Sequence, residues 1–166
     1  MTHNIYLDNT RKKIYINDFS NLLNFEMEFW KLDEELEDAL IHVNTNEFIQ
    51  TLYSKRHNLN NFNDEESYLK ICYFQEVELQ LFRFVLSDLV LNFNQRPDTI
   101  LYYDFSFPRE NGNYSENSNN LGFACTDNKD YFKINHISIY LKSPDLDIHN
   151  DFWKDLENKL VNLKPD

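Results

Sequence analysis

The chain has 166 residues and a formal net charge of -12, from 28 Asp and Glu against 16 Lys and Arg. Its 42% hydrophobic content, with 14 Phe and 10 Tyr, is material for a core, which argues against general disorder, and the length fits one domain over residues 1–166. The negative field repels phosphate backbones and no run of about 18 apolar residues occurs, so direct nucleic-acid binding and a membrane span are both disfavoured.

Ile5-Tyr6-Leu7 and Ile14-Tyr15-Ile16 are β-type runs around Asp8-Asn9-Thr10, a pattern that predicts a short hairpin. Leu22, Phe25, Phe29, Leu32, Leu36, Leu40 and Val43 recur at three- and four-residue steps. That spacing predicts a helix over 20–43, capped by Asp18 or Ser20. Phe48, Ile49, Leu52 and Tyr53 make the stripe of a shorter helix over 45–56, with Lys55, Arg56 and His57 where the macrodipole favours cations. The Asn-rich run to residue 63 is a loop. Residues 64–94 hold no Gly or Pro, and Ile71, Phe74, Leu79, Phe82, Val85, Leu86, Leu89 and Phe93 predict one long central helix. A strand over 77–81, where Val77, Leu79 and Leu81 alternate with Glu78 and Gln80, is the competing reading.

After Arg96-Pro97 the pattern changes. Residues 99–107 predict a strand with Leu101, Tyr103, Phe105 and Phe107 on one face. A polar loop over 108–120, a short strand over 121–126 and a turn over 127–130 follow. The next strand, over 131–142, changes its apolar side from Phe132 and Ile134 to Ile137, Ile139 and Leu141, which calls for a bulge or bend near Asn135 and His136. Phe152, Trp153, Leu156, Leu160 and Leu163 predict a terminal helix over 150–163. The expected class is α+β: a helix-rich N-terminal half packed on a small antiparallel β-meander, with a C-terminal helix.

Asp33, Glu34, Glu35, Glu37 and Asp38 crowd one stretch of the first long helix. Like charges four apart, such as Glu34 and Asp38, cost a few tenths of a kcal/mol. The run reads as a solvated face or as a docking surface for a basic partner. Further acids at Asp64, Glu65, Glu66, Asp145, Asp147 and Asp151 extend the bias toward docking. In the 108–120 loop, which exceeds a normal hairpin link, Glu110, Tyr114 and Glu116 are candidate contact residues.

Glu78 falls within the apolar stripe of the expected central helix. Buried there, its carboxyl would be raised and could serve as a general acid; a hydrogen-bonded or exposed carboxylate is the plainer reading. An enzyme reading centres on Glu78, His136 or Asp104. Residues 145–151 alternate oxygen and imidazole ligands, yet lack the Gly and distal Glu of a calcium loop and the His or Cys pairs of zinc sites, and read as a helix start rich in capping acids. Gly112 and Gly122 are the only glycines, so no phosphate or dinucleotide loop is formed. No catalytic residue, metal or cofactor is expected. Cys72 and Cys125 read as buried thiols of a reducing compartment, and Met1-Thr2-His3-Asn4 shows no leader pattern, so the expected location is cytoplasmic.

In size, acidity, aromatic content and lack of catalytic motifs, the chain is similar to bacterial immunity proteins. The likeness implies a small acidic inhibitor that occludes a basic surface of a cognate toxin, a nuclease foremost. Asp33, Glu34, Glu35, Glu37 and Asp38 would steer the encounter, and aromatic residues such as Tyr114 would anchor it. The alternatives are a phage or plasmid antagonist that blocks a host defence nuclease by nucleic-acid mimicry, and an enzyme with an unrecognised site.

Overall fold

A computed structural model describes residues 6–23, 34–57, 64–107 and 134–165, with side chains from 6–17 and 36 onward within these segments. In chain order they form α1 (Asn9–Leu23), α2 (Glu34–Asn44), β1 (Ile49–Lys55), β2 (Glu66–Tyr73), α3 (Leu79–Asn94), β3 (Ile100–Ser106), β4 (His136–Lys142) and α4 (Leu146–Val161). The class is α+β, as the composition and pattern predict.

The expected hairpin does not form, because Asp8 starts a helix. Its Oδ1 accepts the Arg11 backbone N–H at 2.7 Å, and its Oδ2 pairs with the Arg11 guanidinium at 2.7 Å. An orphan N–H of the first turn is thereby satisfied, and Ile14, Tyr15 and Ile16 become helical despite their β propensity. Asp18 and Ser20 therefore lie inside α1 rather than at a helix start. The helix expected over 20–43 is met at both ends, by α1 and α2; residues 24–33 lie outside the described residues.

One expected helix is a strand, and a second is a strand in its first part and the helix α3 in its second. β1 occupies the place of the helix over 45–56. Its register on β2 shifts between Thr51 and Tyr53, and this bulge mimics a helical stripe. Ile49 packs in the core on one sheet face, while Leu52 packs on the other. β2 takes the first part of the expected 64–94 helix. Ile71, Cys72 and Tyr73 are all buried, since helices cover both faces there, and the alternation that marks a half-buried strand is lost. The turn that follows uses neither Gly nor Pro: the Val77 N–H donates to the Phe74 carbonyl at 3.0 Å. Residues 77–81 are no strand either; Leu79 opens α3.

The sheet order is β1-β2-β4-β3, with every neighbouring pair antiparallel. β2 and β3 thus run parallel with β4 between them, and α3 makes the crossover. Asn94 pins that crossover: its side chain accepts from the Leu101 N–H at 2.7 Å and donates to the Leu101 carbonyl at 3.1 Å.

Each sheet face has its own core. Leu69, Ile71 and Tyr73 of β2, Leu101 of β3 and Ile137, Ile139 and Leu141 of β4 meet α2, α3 and α4. Cys72 and Ile134 meet Leu7 and Tyr15 on the opposite face. This arrangement explains the change of apolar side along residues 131–142. Ile134 has even parity and serves the second core, whereas Ile137 has odd parity and serves the first, so plain alternation places both. α4 begins four residues before the expected position, at Leu146, because Asp145 caps it and accepts the Asp147 N–H at 2.9 Å. No helix among the described residues is long and apolar enough to cross a membrane.

Candidate functional site

α2 packs Leu36, Ala39, Leu40 and Val43 inward. Its outward side shows Asp38, exposed, and Glu37, half-buried. Glu34 and Glu35 belong to the same helix. Asp33, Glu110, Tyr114 and Glu116 lie outside the described residues. Ile41 is exposed beside Asp38, one turn on, so this side combines charge with an apolar contact. α2 lies against α4, where Asp147 and Asp151 are exposed. His42 of α2 joins the two helices through a 2.6 Å contact with Glu157.

The enzyme candidates sit on three different elements, with Asp104 close enough to His136 to favour its charged form. Glu78 is exposed at the N-cap of α3, with extended backbone and no side-chain cap hydrogen bond. It is not the buried carboxyl that a continuous helix would have produced. His136 is buried on the face away from α3, with Nδ1 3.0 Å from the Ile134 carbonyl, and burial holds its pKa below the ordinary histidine value. Asp104 is exposed on β3, opposite Ser138. Residues 145–151 are committed individually: Asp145 caps α4, His149 is buried, and Asp151 pairs with Arg96 at 2.8 Å.

Three features escaped the sequence reading. The first is a sealed polar cluster. His149 Nε2 lies 2.8 Å from the Ser143 carbonyl, which assigns the ring proton to Nε2. Nδ1 then accepts from the Ser67 hydroxyl at 2.8 Å, and Ser67 Oγ accepts the His57 N–H at 3.0 Å. The His57 and His149 rings are 4.3 Å apart. Ser67 and His149 form a hydrogen-bonded serine–imidazole pair, and both are fully buried. Burial, partly offset by the carbonyl, lowers the His149 pKa. The pair links β2 to α4.

The second is a tyrosine row. Tyr68, Tyr140 and Tyr102 stand in register across β2, β4 and β3, with centroids 6.0 and 4.8 Å apart. They occupy the face opposite α2, and Tyr102 is exposed at the end of the row. Cross-strand rings of this kind both stabilise the sheet and offer rigid contact area. No spacing within one segment could have revealed a row assembled from distant strands.

The third is a cleft of about 290 Å³ between α2 and α4, lined by Leu36, Ala39, Arg56, Asn150, Trp153, Lys154 and Glu157. No group of His, Cys, Asp and Glu suited to a metal ion occurs among the described residues.

Comparison with known proteins supplies no assignment: no protein-family model, no curated protein and no solved structure matches the chain significantly.

Proposed function

We propose that this protein is a small acidic inhibitor that docks on a basic protein, of the immunity type, with a toxin nuclease as the foremost partner. One observation carries the reading. In a chain of net charge -12, the neighbouring helices α2 and α4 expose carboxylates at Asp38 and Asp147, and Asp151 beside them is exposed though paired with Arg96. Such a surface raises encounter rates with a positive groove toward about 10⁸–10⁹ M⁻¹s⁻¹ at low salt. Fast capture suits a protein that must reach a nuclease before the host's own nucleic acid does. Ile41, exposed beside Asp38, supplies apolar contact within the charged field.

The test is co-purification from the native cytoplasm, followed by an activity assay on the captured protein. Recovery of a basic nuclease whose activity falls on adding this chain supports the reading. Recovery of only acidic or neutral partners, with no inhibition, contradicts it.

A second reading, nucleic-acid mimicry against a defence nuclease, draws on one feature of α4. Asp147, Asp151 and Asp155 recur at four-residue steps, a regular carboxylate line along a helix. It predicts that double-stranded DNA competes with this protein for the partner, whereas an inhibitor bound beside the nuclease groove leaves DNA binding intact.

A further inference from the structure

We propose that the turn between α2 and β1 is a preformed cation site that takes a primary ammonium group, and that Lys12 of α1 is its tethered occupant. The Lys12 Nζ donates to the Asn46 carbonyl at 2.8 Å, to Gln50 Oε1 at 3.1 Å, to the Asn44 carbonyl at 3.3 Å and to the Ile49 carbonyl. All are neutral oxygens from one short stretch of chain. An ammonium carries three donors and no acceptor, so it suits a group of converging oxygens. Carbonyl oxygens replace the hydration shell of a monovalent cation in the same way, whereas divalent ions call for carboxylates.

The oxygens are fixed by bonds that do not involve Lys12. The Asn44 side chain donates to Thr51 Oγ1 at 2.8 Å and accepts the Thr51 N–H at 2.9 Å. Asn46 Nδ2 donates to the Leu160 and Leu163 carbonyls at 2.8 and 2.6 Å. Ile49 is fully buried and in register with Tyr73 of β2. Asn44 also closes α2, where the helix dipole favours a cation. Gln50 adds an independent sign. It is fully buried and turns Oε1 to Lys12, while its Nε2 has no acceptor among the described residues. A buried amide bears that cost where a charge needs its oxygen. Glu47, exposed, adds attraction from a distance.

Lys12 is half-buried, so shortening it opens the cage to solvent. The test is Lys12→Ala in the full chain with n-propylammonium as probe, because that ion restores the atoms the substitution removes. Urea unfolding midpoints are read at constant ionic strength, against tetramethylammonium, which has no N–H, and 1-propanol, which has no charge. The midpoint of the variant should rise with the logarithm of n-propylammonium concentration and recover about half or more of the loss, while the natural protein, whose cage is filled, shows no such rise. If the variant is unfolded by itself, refolding in n-propylammonium and in neither control is the supporting result. Equal recovery with either control, the same rise in the natural protein, or no recovery at all overturns the assignment.

Discussion

The Ser67 hydroxyl meets the His149 ring at 2.8 Å, with both residues fully shielded from solvent. The contact joins the second strand to the last helix, and the Ser143 carbonyl completes it at 2.8 Å. His149→Ala leaves a buried hydroxyl and a buried carbonyl without this partner and opens a cavity. The expected loss of stability is about 2–4 kcal/mol, read from urea unfolding. A loss below about 0.5 kcal/mol, the range of ordinary surface substitutions, contradicts this role.

Acid should weaken the fold through the same group. Burial lowers the pKa of His149 and of His136 in the folded state, so the unfolded chain takes up protons first. Their contribution to stability is complete above the ordinary value near 6.5. It falls as pH drops through the folded-state values, then levels off. His149→Gln and His136→Gln should each flatten the fall in unfolding midpoint between neutral and mildly acid pH. Unchanged slopes in both variants would show that carboxylates alone carry the acid sensitivity.

Lys12 has the same sign on the alkaline side. From α1 its ammonium reaches the Asn44, Asn46 and Ile49 carbonyls and Gln50 Oε1, gathering the link between α2 and β1. Burial lowers its pKa to about 8, against 10.5 for the free side chain. Between those values the unfolded chain holds more protons, so this group makes stability rise with pH. Tyr68 works the other way above pH 10, because burial pushes its phenol up to about 12. Lys12→Met should cost about 1–3 kcal/mol at neutral pH by stranding carbonyls, and should abolish the rise between pH 8 and 9.5. Denaturant titrations at those pH values, on both proteins, check it.

Asn46 ties the same turn to the end of α4. Its Nδ2 donates to the Leu160 and Leu163 carbonyls at 2.8 and 2.6 Å, and its Oδ1 accepts the Phe48 N–H at 2.9 Å. Asn46→Asp keeps the acceptor and loses the donor, placing a carboxylate against carbonyl oxygens. It should destabilise at least as much as Asn46→Ala, by about 2 kcal/mol or more. Thermal melts showing Asn46→Asp as the milder variant would contradict this picture.

What could be read from the residues was the class, the β3 strand, the last helix and the acidic character of α2. What could not be read follows from burial on both sides of the sheet. Ile71, Cys72 and Tyr73 look like one broad helical side when taken in line, because α1 covers Cys72 while α3 and α4 cover its neighbours. The bulge at Leu52 gave β1 a helical rhythm. Asp8 was read as a turn residue, although Arg11 three positions on was the cue to a helix start. Glu78 followed from the same error: with β2 and α3 merged into one helix it fell on the apolar side, and with the chain turning at residues 74–78 it faces water. The tyrosine row and the α2–α4 cleft depend on which strands and helices become neighbours, which local spacing does not encode.

Tyr102 and α2 lie on opposite sheet faces, so the tyrosine row and the acidic helix can be tested separately as contact surfaces. If α2 carries the encounter, Tyr102→Ala should change the affinity for a basic partner by less than about threefold, below the level of a hot spot. A loss beyond roughly thirtyfold would move the anchor to the sheet face.

The most direct measurement is the association rate with the co-purified basic partner, followed across salt concentration for the natural protein and a Glu34→Lys, Glu35→Lys, Asp38→Lys variant. Steering by α2 predicts a rate that falls steeply with salt in the natural protein, and a slower, nearly salt-independent rate in the variant. Identical rates and identical salt response in the two proteins would contradict it.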